Sequence, residues 1–166
     1  MGVGKSTVGR RLAQRLGLPF ADADAEIETA ASMSVADIFA RFGEVEFRAG
    51  EARVMRRMLE GPPIVLATGG GAMLNAGTRA LLKSRATTVW LRAELPVVAA
   101  RVQRRDTRPL LRGKDPLATL TAMAEARYPL YAEADVTVDV GTGAHAQAVE
   151  AILKALQAHA KAEAAS

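Results

Sequence analysis

A three-layer α/β fold, a parallel sheet with helices on both faces, is what this sequence predicts, and three observations predict it. Short apolar runs alternate with stretches of helical periodicity along the chain. One run, Ile64-Val65-Leu66-Ala67, is continuously apolar, as a strand covered on both faces is, rather than alternating. The residues with chemistry to offer follow such runs: Asp22 and Asp24 after one, Gly69 to Gly71 after another. Ligands of parallel sheets gather there, beyond the carboxyl ends of strands.

The elements follow in order. Lys5 to Leu16 reads as a helix with Val8, Leu12 and Leu16 at helical spacing and Gly17 as its stop. Leu18 to Ala21 is a short strand closed by Asp22, and Ala25 to Ala31 is helical. Ser34 caps a helix over Val35 to Phe42 that ends at Gly43, and a longer one runs from Val45 to Leu59 despite Gly50. Gly61-Pro62-Pro63 breaks the chain before the strand Ile64 to Ala67. Then come a helix from Asn75 to Ser84, a strand from Thr87 to Leu91, and a helix with Pro96 in its first turn reaching about Arg104. Arg105 to Asp115 is polar and irregular, suited to a lid. Pro116 to Tyr128 is helical, Val136 to Val140 alternates as a last strand, and Ala144 to Ala162 forms a terminal helix whose tail frays from about residue 160. The whole of 1–166 is expected to be one domain.

Composition narrows the function. A hydrophobic content of 49% and the absence of any apolar run of bilayer length describe a globular chain. There is no cysteine, which removes disulfides, thiol catalysis and thiolate-bound zinc and fits a cytoplasmic protein. The two histidines, His145 and His159, both lie near the C-terminus, a poor basis for a histidine metal site or a Ser-His-Asp triad. The net charge of +4 raises the question of nucleic acid, but aromatics are only 4%, too few for stacking platforms. Arginines at motif positions suit small anions instead, phosphates and a carboxylate. Arg10, Arg11 and Arg15 read as a solvated helix face. Methionines such as Met33, Met55, Met58, Met73 and Met123 sit on apolar stretches and read as core filler.

The opening Met1-Gly2-Val3-Gly4-Lys5-Ser6-Thr7 is the back half of a phosphate-binding loop, G-x-x-x-x-G-K-[ST], running into a helix. Amides of Gly4, Lys5, Ser6 and Thr7 can face one anion, Lys5 can reach β- and γ-phosphates, and the Ser6 hydroxyl can ligate magnesium. The first glycine of the pattern would fall before Met1, and no apolar strand leads in. Met1 is therefore expected not to be the natural start, or the chain to be a shortened form whose first strand is missing. The bland alternative is a glycine-rich turn before an ordinary helix.

Asp22-Ala23-Asp24, if extended, presents two carboxylates on one face, one for magnesium and one to accept a proton from an attacking hydroxyl. Alternatively Asp24 is an N-cap. Arg48 and Glu51 stand at i, i+3, where a pair would steady a guanidinium fork for a carboxylate, or form a surface ion pair of little consequence. The triple glycine after Thr68 allows a backbone to approach a ligand, or makes a wide turn. In Thr107-Arg108-Pro109-Leu110-Leu111, Arg108 can neutralise a transferring phosphoryl group or be merely solvated. Arg127, ahead of Tyr128-Pro129-Leu130-Tyr131, can meet a second anion or favour a helix C-terminus.

In order, the pieces GVGKST, DAD, ADIFARFGEVEFR, ATGGGA, TRPLL and ARYPLY resemble the shikimate kinase family over about residues 2 to 140. The resemblance implies a P-loop kinase fold and magnesium-dependent, in-line transfer from ATP to the 3-hydroxyl of shikimate. It implies Gly2, Val3, Gly4, Lys5, Ser6 and Thr7 as the phosphate cradle, with Ser6 and Asp22 serving magnesium. Asp24 resembles the residue that binds and deprotonates the substrate hydroxyl. Arg48, Gly70 and Arg127 resemble the substrate contacts, Arg108 the lid arginine on the phosphates, and Arg101 a further arginine near the nucleotide. With Lys5 and Arg108, Asp24 would carry the catalysis. A monomer without nucleic-acid or membrane partners is expected. The family often has an arginine near the adenine after the last strand. Asp139 to Gly143 holds none, so the adenine contact is unassigned. Rival readings are a related small-molecule kinase, such as a gluconate kinase, and an inactive nucleotide- or metabolite-binding module.

Overall fold

The computed structural model describes residues 3–103, 115–141 and 143–165. Arg108 and Gly2 lie outside them, as does nearly all of the expected lid. The chain divides into two compact units, Met1–Leu12 with Thr87–Ser166, and Ala13–Ala86.

Helix α1 (Lys5–Leu16) has the predicted bounds and runs through the division. Its buried residues include Val8, Leu12 and Ala13, whereas Leu16 is exposed, because the stripe drifts by a residue before the helix stops. Gly17 stops it with φ +66°, and the Leu18 amide donates back to the Ala13 carbonyl at 3.0 Å. That left-handed closure favours glycine.

In the unit Ala13–Ala86, strand β1 (Phe20–Asp22) pairs in parallel with β2 (Val65–Ala67), Phe20 opposite Val65 and Asp22 opposite Ala67. The crossover between them carries α2 (Ala23–Ala31) and α3 (Val35–Glu60). The Asp22 carboxylate accepts from the Asp24 amide at 3.0 Å and so starts α2 two residues earlier than expected. Ser34 opens α3 as predicted, accepting from the Asp37 amide and donating to the Asp37 carboxylate. Gly43, at φ 80° and ψ 177°, interrupts α3 at the point where the sequence ends one helix and starts the next. The two arms of α3 and α2 bury Ile27, Ile38, Phe47 and Val54 together. A second cluster joins Ala23, Met55 and Leu82, with Met73 packed on it; Leu82 comes from α4 (Ala76–Arg85), which Asn75 caps. Burying Met55 and Leu82 contributes about 2 kcal/mol each.

In the unit that includes Thr87–Ser166, β3 (Val89–Arg92) pairs in parallel with β4 (Val136–Asp139). The crossover carries α5 (Leu95–Gln103) and α6 (Pro116–Tyr131), and α7 (His145–Ala164) follows β4. Both ends of this ladder are pinned by side chains. Asp135 accepts from the Thr88 amide and hydroxyl, and Arg92 grips Asp139 with two bonds, of 2.6 and 2.9 Å. Helix α6 continues past Tyr128, where the sequence predicts its end, to Tyr131. Trp90 packs edge-on against both Tyr128 and Tyr131, which holds the extra turn in place.

The α/β class and the parallel pairing are those expected. Among the described residues, however, the strands form two two-stranded sheets rather than one continuous sheet. Each sheet is the product of one crossover, and each ladder closes within its own unit. No described helix is long and apolar enough to cross a membrane.

Candidate functional site

The loop ahead of α1 has one feature that suits a phosphate cradle. Gly4 sits at φ +85°, which an L side chain rarely adopts, and its carbonyl accepts from Val8 to open the helix. The first turn of α1 carries no acidic side chain, so the positive end of the helix dipole is not cancelled locally. Val3, Gly4, Lys5 and Ser6 are half-buried and Thr7 is exposed. A Cβ on Gly4 would stand 2.9 Å from His145 Nε2, so conformation and space both demand glycine. Arg127, in the same unit, is half-buried on α6 and makes no ion pair with a described residue.

In the other unit, the turn after β2 is held by side chains from α2 and α3. A Cβ on Gly69 would come within 3.2 Å of Asp24 Oδ1 and 3.4 Å of Glu51 Oε1. A Cβ on Gly71 would overlap the Arg48 guanidinium. Asp24, Glu51 and Arg48 thus converge on the triple glycine, from which each of them is well separated in the sequence. The turn then winds into a short 3-10 helix, Ala72–Leu74, with the Gly69 and Gly71 carbonyls accepting from Ala72 and Leu74. Gly70 lies between the two contacted glycines, half-buried.

Arg48 is fixed on several sides. Nη1 donates to Glu51 at 2.8 Å, Nη2 donates to Glu44 at 3.3 Å, and the guanidinium carbon stands 5.1 Å from the centre of the Phe47 ring. Arg48 Nε is buried and has no hydrogen-bond acceptor among the described residues. Glu51 is only 3% exposed, so the reading of Arg48 and Glu51 as an incidental surface pair is overturned. A buried pair of this kind costs desolvation and depends on good geometry.

Two further expectations change. Asp22-Ala23-Asp24 is not extended throughout, because helix α2 begins at Ala23; Asp22 ends the strand and Asp24 lies in the first helical turn. The N-cap is Asp22, not Asp24, and the Asp24 carboxylate instead faces Gly69. A cavity of about 570 Å³, bounded by Ile27, Ile38, Phe42, Phe47, Arg53 and Arg57, holds none of Asp24, Arg48 or Gly70 and lies over the apolar cluster of α2 and α3.

Sequence reasoning missed one participant, Glu44, and two contacts. Glu44 lies one turn before Arg48, a helical spacing that could have revealed it. The reach of Glu51 to Gly69, and of His145 to Gly4, has no signal in linear sequence.

The sequence and the fold match a known family. The family model for shikimate kinase matches residues 1–157. A shikimate kinase from Caulobacter vibrioides (strain NA1000 / CB15N) is 62% identical over 161 residues, 96% of this chain and 80% of that protein. The structure of shikimate kinase from Acinetobacter baumannii in complex with shikimate superposes with a TM-score of 0.91 at 38% identity, covering 95% of this chain and 89% of that one. A gluconokinase from Sinorhizobium meliloti 1021 is similar at a TM-score of 0.53 and 20% identity, over 97% of this chain and 87% of that one, a likeness of fold alone. The match runs from the glycine loop ahead of α1 into the last helix and takes in the Asp24, Arg48 and triple-glycine segments on its way; the chain belongs to the shikimate kinase family.

Proposed function

We propose that this chain transfers the γ-phosphoryl group of ATP to the 3-hydroxyl of shikimate. The observation that carries the reading is the buried Arg48–Glu51 pair laid against the triple glycine beside the Asp24 carboxylate. A guanidinium steadied on two carboxylates, with a buried N–H that has no acceptor among the described residues, suits a carboxylate ligand such as that of shikimate. Gly70 contributes backbone to the same ligand, and Arg127 supplies a second cation for it.

Phosphoryl transfer asks for positioning and charge neutralisation more than for covalent chemistry. Gly2, Val3, Gly4, Lys5, Ser6 and Thr7 cradle the phosphates, Lys5 neutralises charge on the transferring group, and Arg108 adds a second cation from the lid. Asp24 receives the proton of the attacking hydroxyl. Ser6 and Asp22 offer a hydroxyl and a carboxylate, hard oxygen donors of the type magnesium takes together with phosphates and water. Among the described residues no three His, Cys, Asp or Glu side chains form a metal nest, a pattern that suits a cation carried largely by the nucleotide. Magnesium, when bound, would offset the charge of the phosphates.

A coupled ADP-release assay with shikimate and gluconate side by side tests the reading. Turnover is expected on shikimate alone. Turnover on gluconate without turnover on shikimate supports the rival kinase. A folded protein that gives no heat with ATP and magnesium in calorimetry overturns the enzyme reading altogether.

A further inference from the structure

We propose that Arg79 is a positioning residue for the shikimate site, holding the outgoing end of the triple-glycine turn by two backbone carbonyls; this rests on the kinase reading above and adds a residue to it. Arg79 lies near the start of α4 and is half-buried, and its amide donates to the Asn75 carbonyl at 3.0 Å. Its guanidinium reaches back over the chain that enters the helix. Nη1 donates to the Met73 carbonyl at 2.6 Å and to the Leu74 carbonyl at 3.2 Å. Met73 and Leu74 are the last two residues of the 3-10 helix into which the turn winds. A helix end leaves its final carbonyls without partners inside the helix, and a charged donor bonds them more strongly than a neutral one.

Backbone hydrogen bonds connect this clamp to the turn. The Leu74 amide donates to the Gly71 carbonyl at 3.0 Å, and the Ala72 amide donates to the Gly69 carbonyl at 3.1 Å. Leu74 is thus tied to the turn at its amide and to Arg79 at its carbonyl. Packing alone does not fix it: Met73 is packed on the cluster of Ala23, Met55 and Leu82, but Leu74 is 40% exposed. On its other flank the turn meets Asp24 and Glu51 at Gly69 and Arg48 at Gly71. A run of three glycines has more conformational freedom than any other backbone of its length. Contacts on both flanks restrict that freedom, and ordering a long side chain against two carbonyls is one way to do so. Arg79 acts through the place of the Gly70 backbone and of Gly71, against which Arg48 lies.

The test is steady-state kinetics in both substrates on the wild type, Arg79→Met, Arg79→Gln and Arg79→Lys, with urea unfolding to establish that each is folded under the assay conditions. Methionine keeps most of the stem without a donor, glutamine stops short of the carbonyls, and lysine keeps a charged donor. Both bonds leave a single nitrogen, so a planar fork is not required here. Arg79→Met and Arg79→Gln are expected to raise shikimate KM about tenfold, the scale of a lost charge-assisted hydrogen bond, with kcat within about threefold of wild type and ATP KM unchanged. Arg79→Lys should recover most of the loss. A merely structural arginine would lower the unfolding midpoint and leave both KM values where they are. Shikimate KM within about twofold of wild type in a folded neutral variant overturns the proposal, as do equal rises in KM for shikimate and ATP or a lysine variant as impaired as the neutral ones. If neither neutral variant folds, Arg79 holds the fold rather than the site, and the proposal is overturned as well. A wild type with no turnover on shikimate overturns the kinase reading and this inference together; a wild type active on shikimate with an indifferent Arg79 overturns only the inference.

Discussion

Arg48 lies so close against Gly71 that a methyl group on that glycine would overlap the guanidinium. Gly71 itself has ordinary backbone angles, φ −88° and ψ −11°, which alanine adopts without strain. Gly71→Ala should therefore leave the fold intact and displace the far end of one long side chain. The expected result is a shikimate KM raised about tenfold or more, because a misplaced fork no longer meets a carboxylate bidentately. MgADP affinity should stay near wild type, while the melting temperature falls to the extent that the displaced fork loosens its bond to Glu51. A shikimate KM within twofold of wild type would mean that Arg48 does not need its place against the turn.

Glu51 is the support on the other side of Arg48. At 3% exposed, it is a buried carboxylate with a guanidinium partner at 2.8 Å. Glu51→Gln keeps the shape and removes the charge, leaving Arg48 with Glu44, the weaker and more exposed partner. The loss of stability should be roughly 2 kcal/mol by urea unfolding, below the range for a fully buried pair because Arg48 keeps some access to water. Shikimate KM should rise as well. Unchanged stability with unchanged KM would make Glu51 a bystander.

The Asp24 carboxylate is separated from the capping of its own helix, since Asp22 provides the cap and accepts from the Asp24 amide. Asp24→Asn is therefore a clean change in proton-accepting power at nearly constant shape. Turnover should fall at least about a hundredfold, the scale of general-base catalysis, while MgADP binding by calorimetry persists. A kcat within threefold of wild type would remove Asp24 from the base role.

The parts legible in the sequence were those in which local rules and global structure agree. Gly17 and Gly43 are punctuation whose positive φ the structure bears out, and Ser34 is a cap whose side chain does what its type favours. Helix α1 was readable to the residue, since a helix dipole, a glycine stop and an apolar stripe all coincide there. What escaped was set by tertiary contacts. The Asp22 cap moved the start of α2, and the packing of Trp90 carried α6 past Tyr128. The burial of Glu51 could not be read from an i, i+3 spacing, because that spacing is the same on a wet and on a dry face of a helix. His145 and Gly4 stand at opposite ends of the chain, and no periodicity links them.

The ladder of β3 and β4 should respond to acid in a way that one hydroxyl controls. Partial burial pushes the Asp135 carboxyl up, but the hydrogen bonds from the Thr88 hydroxyl and amide, with smaller contributions from His159 and its own amide, leave it below the usual carboxylate value. Asp139 is lowered as well, chiefly by its hydrogen bond from Arg92. Both groups return to about 3.9 in the unfolded chain. Between the folded and unfolded values the unfolded chain binds more protons, so stability rises with pH there. The contribution is complete above the unfolded value and is lost as pH falls through the folded one. Thr88→Val removes the hydroxyl donor to Asp135 and the acceptor for the Asp135 amide. Its melting temperature should lie below wild type at neutral pH, and the gap should narrow as pH falls below about 4, where the wild-type carboxylate is itself being protonated. A gap that stays constant from neutral pH into that range would mean that Thr88 stabilises the ladder without favouring the charged form of Asp135.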